Sequence, residues 1–174
     1  MSYFSKFPIL AYDSLGKDEF KVAPNILKRV RARSNALLNS TMLVKYHIRA
    51  GETPESLAYN FYGDPRLHWV ILITNNITDR FHGWPLSERQ LQNFVNDKYS
   101  NPNAIHHYEI PQTSGDATVK IDIGTDNTDY PSATAITNYE YELDLQEKLS
   151  LISILKEQFL QQFTDEFNAI MQFG

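Results

Sequence analysis

Two helix starts of the same kind stand close together in this chain, at Thr53-Pro54 and at Asp64-Pro65. A short oxygen-bearing side chain caps an unpaired backbone N–H. The proline after it fixes φ at a position that needs no N–H of its own. Gly63 lies between the two starts, where a left-handed cap can end the first helix. The first helix therefore runs to about Tyr62 and buries Leu57, Ala58 and Phe61. The second carries Leu67, Trp69, Val70, Leu72 and Ile73 and stops near Asn75-Asn76. Upstream, residues 42–49 (MLVKYHIR) alternate, with Val44, Tyr46 and Ile48 on one side, as a short strand does. Ala50-Gly51-Glu52 makes the turn. Residues 42–76 are thus committed to strand, helix, helix.

The flanks read as additions to that core. Residues 1–23 form an irregular apolar arm interrupted by Pro8. Residues 24–38 (PNILKRVRARSNALL) predict a helix with Ile26, Leu27, Val30, Leu37 and Leu38 on one face and a basic cluster on the other. A loop over 77–86 contains Gly83-Trp84-Pro85. Ser87 with Gln90 forms a capping-box pattern that opens a third helix to about Tyr99. Residues 104–111 and 117–123 predict a β-hairpin, and 124–137 a polar, mobile loop. Over 138–171, Leu145, Leu149, Ile152, Leu155, Phe159, Phe163, Phe167 and Ile170 recur at steps of three and four. One uninterrupted helix of that length spans on the order of 50 Å, more than a small body can cover. Its apolar stripe is expected to pack on another chain. The expected fold class is α+β, in four segments: 1–40, 41–100, 101–137 and 138–174.

Chemistry is hard to assemble from these residues. There are no cysteines among the 174, so disulfides and thiolate chemistry are excluded. None of the five histidines lies in a zinc-protease pattern, and His106 and His107 are expected on opposite faces of a strand. No nucleophile elbow, phosphate loop or dinucleotide fingerprint is present. Glu140, Glu142, Asp144 and Glu147 suit the positive end of a helix dipole. No catalytic residue, cofactor or metal is expected. The net charge of −5 argues against a dedicated nucleic-acid binder. No segment approaches the roughly 20 apolar residues of a membrane span. The N-terminus, MSYFSKFPILAYD, lacks the apolar core of a signal peptide. Aromatic residues are abundant at 13%. Phe4, Phe7 and Trp84 join the apolar stripe as candidate partner contacts. Trp69, among Val70, Ile71 and Leu72, reads as core.

Residues 46–77 resemble the LysM module on Tyr46, Ile48, Gly51, Glu52, Thr53, Leu57, Ala58, Tyr62, Gly63, Trp69, Ile71, Asn75 and Asn76. That family closes with a short strand after its second helix and binds N-acetylglucosamine polymers between its two loops. The resemblance implies a glycan groove at Gly51, Glu52, Thr53 and Asn75. This chain departs from the pattern after Ile77, where a Trp-Pro loop and another helix follow.

The wider order is similar to the baseplate wedge subunits of T-even-type contractile phages, the gene product 53 family. It comprises a basic helix, the YGDPRLHWVILITNN run, GWPLS, a helix, a hairpin and a C-terminal helix. The resemblance covers 24–111 and 138–171. It implies a structural protein of the virion tail baseplate, assembled in the host cytoplasm in six copies. Its partners would be other wedge proteins, the sheath initiator and proteins near the hub, and it would help wedges close into a ring. A peptidoglycan-binding module is the alternative.

Overall fold

The computed structural model of the 174-residue chain describes residues 3–13, 15–28, 30–31, 41–116 and 118–172. The chain is α+β and divides into two compact units. The first is built from residues 1–84 and 151–174, the second from 85–150.

The first unit is centred on β3 (Leu43–His47), α1 (Pro54–Tyr62), α2 (His68–Thr74) and β7 (Leu151–Leu155). Both helix starts form as the side chains dictate. Thr53 Oγ1 accepts the Ser56 N–H at 3.2 Å, and Asp64 Oδ1 accepts the Arg66 N–H at 2.9 Å. Gly63 closes α1 at φ 70°, where a side chain would be strained. Pro65–Leu67 is a 3-10 turn leading into α2. Leu57, Ala58, Val70, Ile71 and Ile154 are almost entirely buried in one cluster, with Trp69 among them as expected.

The expected continuous helix over 138–171 does not exist. It is cut into α4 (Asn138–Ser150), β7, a 3-10 turn and α5 (Leu160–Gln172). Strand β7 pairs antiparallel with β3, Leu43 opposite Leu155 and His47 opposite Leu151. The physical reason lies in β3, whose N–H and C=O groups need a partner strand. The run LISIL is apolar and rich in β-branched Ile, which suits a buried strand. Ile152, Leu155 and Phe167 of the stripe are thereby buried within the chain, whereas Ile170 is 53% exposed. Tyr62 adds a bond from its hydroxyl to the Leu155 carbonyl at 3.1 Å, and burial pushes its phenol pKa up. Phe167 and Met171 of α5 complete the core.

The N-terminal arm is also regular, contrary to expectation. β1 (Ile9–Asp13) and β2 (Phe20–Pro24) form an antiparallel hairpin. The Asp13 carboxylate organises its turn by accepting the N–H groups of Leu15, Gly16 and Asp18 at 2.8–3.1 Å. Desolvation alone would raise its pKa, but these bonds hold it below the ordinary value. The helix expected at 24–38 does not begin at Pro24, which ends β2. Asn25–Lys28 is a turn, and 32–40 lies outside the described residues.

In the second unit, α3 (Glu88–Lys98) starts as the capping pattern requires, with the Gln90 side chain accepting the Ser87 N–H at 3.0 Å. The expected hairpin forms as β4 (Ile105–Pro111) and β5 (Lys120–Asp122). The end of the supposed mobile loop is instead β6 (Thr134–Thr137), on the other edge of β4. An irregularity between Ile105 and His107 breaks the alternation there. His106 and His107 therefore do not diverge. Their Nδ1 atoms lie 2.9 Å apart, and the His106 ring stacks on Tyr141 at 3.9 Å.

Candidate functional site

The loop between β3 and α1 and the end of α2 are the two places where the sequence pattern puts a groove. Gly51 turns the first loop at φ 84°. The Glu52 carboxylate accepts the Tyr46 hydroxyl at 2.9 Å and the Arg49 N–H at 2.8 Å. Desolvation first, then this carboxylate, raises the Tyr46 phenol pKa. Thr53 is occupied as the helix cap. Asn75 donates to the carbonyls of Ile71 and Ser153 and accepts the Ser153 N–H, each at 2.8 Å. The polar side chains of the expected groove thus serve the fold.

The segment after α2 then closes over the first loop. Trp84 is 8% exposed, and its indole N–H donates to the Glu52 carbonyl at 2.9 Å. Arg80 forms a two-pronged ion pair with Glu55 on α1, one prong at 2.9 Å. A Cβ at Gly83 would meet the Asp79 carbonyl oxygen at 2.7 Å and the Ile77 Cγ2 at 2.8 Å. Glycine is what allows the turn that delivers Trp84. Asp79 is held below its ordinary pKa by its bond to His82, supported by the Phe81 N–H.

Of the candidate partner contacts, Phe7, Trp84, Ile152, Leu155 and Phe167 are buried in the first unit's own core. Phe159 and Phe163 are half-buried against it. Leu145 and Leu149 are half-buried on α4 in the second unit. Phe4 is open to solvent at 60%. A further exposed apolar face lies on the N-terminal hairpin. Ile9, Phe20 and Val22 are 62–75% exposed, and their register places them on one face of the ribbon. Their alternation with Leu10, Tyr12 and Lys21 was the signal that could have found this face. Among the described residues no group of three or more His, Asp or Glu gathers to hold a metal. No helix among them is long and apolar enough to cross a membrane.

Residues 3–130 match the family described as base plate wedge protein 53. The chain belongs to that family. It is also similar to baseplate wedge protein gp53 of Enterobacteria phage T4, 28% identical over 142 residues, covering 73% of this chain and 72% of the relative. The wedge-protein match takes in the exposed hairpin, which the sequence resemblance left unplaced. A baseplate wedge protein is a structural part of a phage tail, and the arrangement of its residues is one of bonds within the fold and apolar faces outside it.

Proposed function

We propose that this chain is an assembly subunit of the baseplate wedge. It joins the wedge core formed by other baseplate proteins, near the sheath initiator and the hub, and helps neighbouring wedges close into a ring, in six copies per baseplate. It carries no catalytic step and assembles in the host cytoplasm. The observation that carries this reading is the exposed apolar face of the β1–β2 ribbon, inside the residues that match the wedge family. A two-stranded ribbon is marginal on its own in water, and an apolar patch of this kind ordinarily marks a protein contact.

Glycan binding is the weaker reading. The strand–helix–helix–strand order of the first unit suits a LysM-like core, with β7 as its closing strand. Yet Glu52, Thr53 and Asn75 are committed to internal bonds, and Trp84 lies on the loop that would face the sugar.

Co-expression with the other wedge proteins of the same phage, followed by size-exclusion chromatography and cross-linking, tests the proposal. The chain is expected in a stoichiometric complex, and Val22→Asp with Ile9→Asp should release it. A chain that elutes alone beside assembled wedges, and that is pulled down by insoluble peptidoglycan, would turn the reading to the glycan module.

A further inference from the structure

A groove of about 1120 Å³ opens in the first unit, lined by the N-terminal turn, by Ile26, Lys28, Val30 and Arg31, and by α2. Its floor is apolar, from Trp69, Leu72, Ile73 and Ile77. Phe4 and Ile26 stand at its walls, 60% and 66% exposed. Its rim is cationic, with Lys28, Arg31 and Arg66.

Two of the three rim cations, Lys28 and Arg31, bond only to neutral acceptors among the described residues. Arg66 itself is exposed and is paired by two prongs with Asp64, which is 24% exposed. Arg66 holds the Asp64 carboxyl well below its usual range. Lys28 donates to the Met171 carbonyl at 2.6 Å, and Arg31 donates through Nε to Asn76 Oδ1 at 3.3 Å. Both acceptors are neutral, and among the described residues no carboxylate pairs with Lys28 or Arg31. This concentration of positive charge sits on a chain whose net charge is −5. An apolar floor under a positive rim fits a segment with large apolar anchors on one face and carboxylates beside them. A phosphate backbone would match the rim but leave the floor bare.

We propose that this groove receives an acidic amphipathic segment of another baseplate protein. The inference rests on the assembly role proposed above and names one of its contacts.

The test places the photo-crosslinker benzoylphenylalanine at Ile26 in the full chain, co-expressed with the wedge proteins of its phage. The crosslinked peptide is expected to come from a different protein and to carry large apolar residues with Asp or Glu within one helical turn of them. Arg31→Glu, at an exposed position, should lower the crosslink yield at least tenfold, and raised salt should lower it in the wild type. A crosslinker at the exposed Phe81 serves as the control and should not respond to Arg31→Glu. Crosslinks to this chain itself, from its own segments or from a second copy, would overturn the proposal. So would a Lys- and Arg-rich peptide, or a yield indifferent to Arg31→Glu. If the unmodified wild-type chain fails to co-elute with the wedge proteins, the assembly role fails first and the groove's partner with it. If it co-elutes and only the Ile26 result fails, the role stands and the groove is not the contact.

Discussion

The side-chain amide of Asn75 forms a two-way bond with the backbone of Ser153, accepting its N–H and donating to its carbonyl, each at 2.8 Å. The amide thereby does what a third strand would do at the outer edge of β7. It also joins the end of α2 to a strand that lies 78 residues away in sequence. Ser153 is 9% exposed, so water offers its backbone groups little compensation. Asn75→Ala leaves both groups unpaired, at a cost of about 2–3 kcal/mol. Asn75→Asp keeps the acceptor but loses both donated bonds, and should destabilise at least as much. Urea unfolding measures both, and a midpoint unchanged in Asn75→Ala would show that the bond is incidental.

Gly83→Ala should destabilise for a steric reason. The added methyl would press on the Asp79 carbonyl and the Ile77 side chain at under 3 Å. Backbone must then shift, and overpacking of this kind costs about 1–3 kcal/mol. The shift would lift Trp84 from the Glu52 carbonyl, so tryptophan fluorescence should move to longer wavelength together with a lower melting temperature. A stable variant with unchanged emission would mean that the 77–84 turn can relax freely.

Glu142 in the second unit is 3% exposed and accepts from Lys98 Nζ and the Tyr99 hydroxyl, both at 2.7 Å. The bond to Glu142 raises the Lys98 pKa. Burial first, and then Glu142, raises that of Tyr99. A pKa raised in the folded state contributes stability that is full below the unfolded value and fades as pH rises through the folded one. The contribution should therefore be complete at neutral pH and decline above about pH 10, where free Lys and Tyr titrate. Glu142→Gln should unfold more easily at pH 8 and lose less than the wild type between pH 9 and 11. Because Lys98 is half exposed, its share is small. Parallel pH profiles for the two proteins would remove Glu142 as the cause.

How much of this was legible in sequence depended on where each backbone found its partners. The helices α1 and α3 and the 3-10 turn that leads into α2 carry their caps in adjacent residues, Thr53, Gly63, Ser87 and Asp64, so a local reading finds them. β7 has its partner in β3, more than a hundred residues away. Without that partner, Ile152 and Leu155 fit a helical stripe as well as a strand, and the helix won on spacing alone. The short run LISIL with its two β-branched isoleucines is the sequence signal for a strand, and the structure buries it from Ile152 to Leu155. The sequence pattern puts Glu52, Thr53 and Asn75 at a glycan groove, but the structure occupies each of them with bonds inside the fold. The Thr53 partner Ser56 and the Glu52 partner Tyr46 are near in sequence, whereas the Asn75 partner Ser153 is brought to it only by the fold. Pro8 suggests a break in the arm, but it stands just before the first strand residue, Ile9, where a proline interrupts no ladder bond.

The second unit is an insertion, and this leads to a further prediction. The chain leaves the first unit after Trp84 and re-enters it at Leu151. Trp84 is bonded to Glu52, and Leu151 lies opposite His47, so both junctions attach to the segment from the end of β3 to the first loop. Among the described residues, every buried member of the core from Phe7 to Met171 belongs to the first unit, and none comes from 85–150. The strand–helix–helix–strand core therefore contains its own apolar contacts and its own bonds to β7. Replacing residues 87–148 by a short Gly/Ser linker should leave that core folded. The shortened chain is expected to keep a cooperative unfolding transition and the near-ultraviolet signal of Trp69, which packs on Phe167 at 4.6 Å. Loss of loop-closure entropy favours the shortened form slightly, since closing a shorter loop costs less. A shortened chain with no cooperative transition would show that β7 cannot find β3 without the second unit, and that the insertion guides the pairing as well as interrupting it.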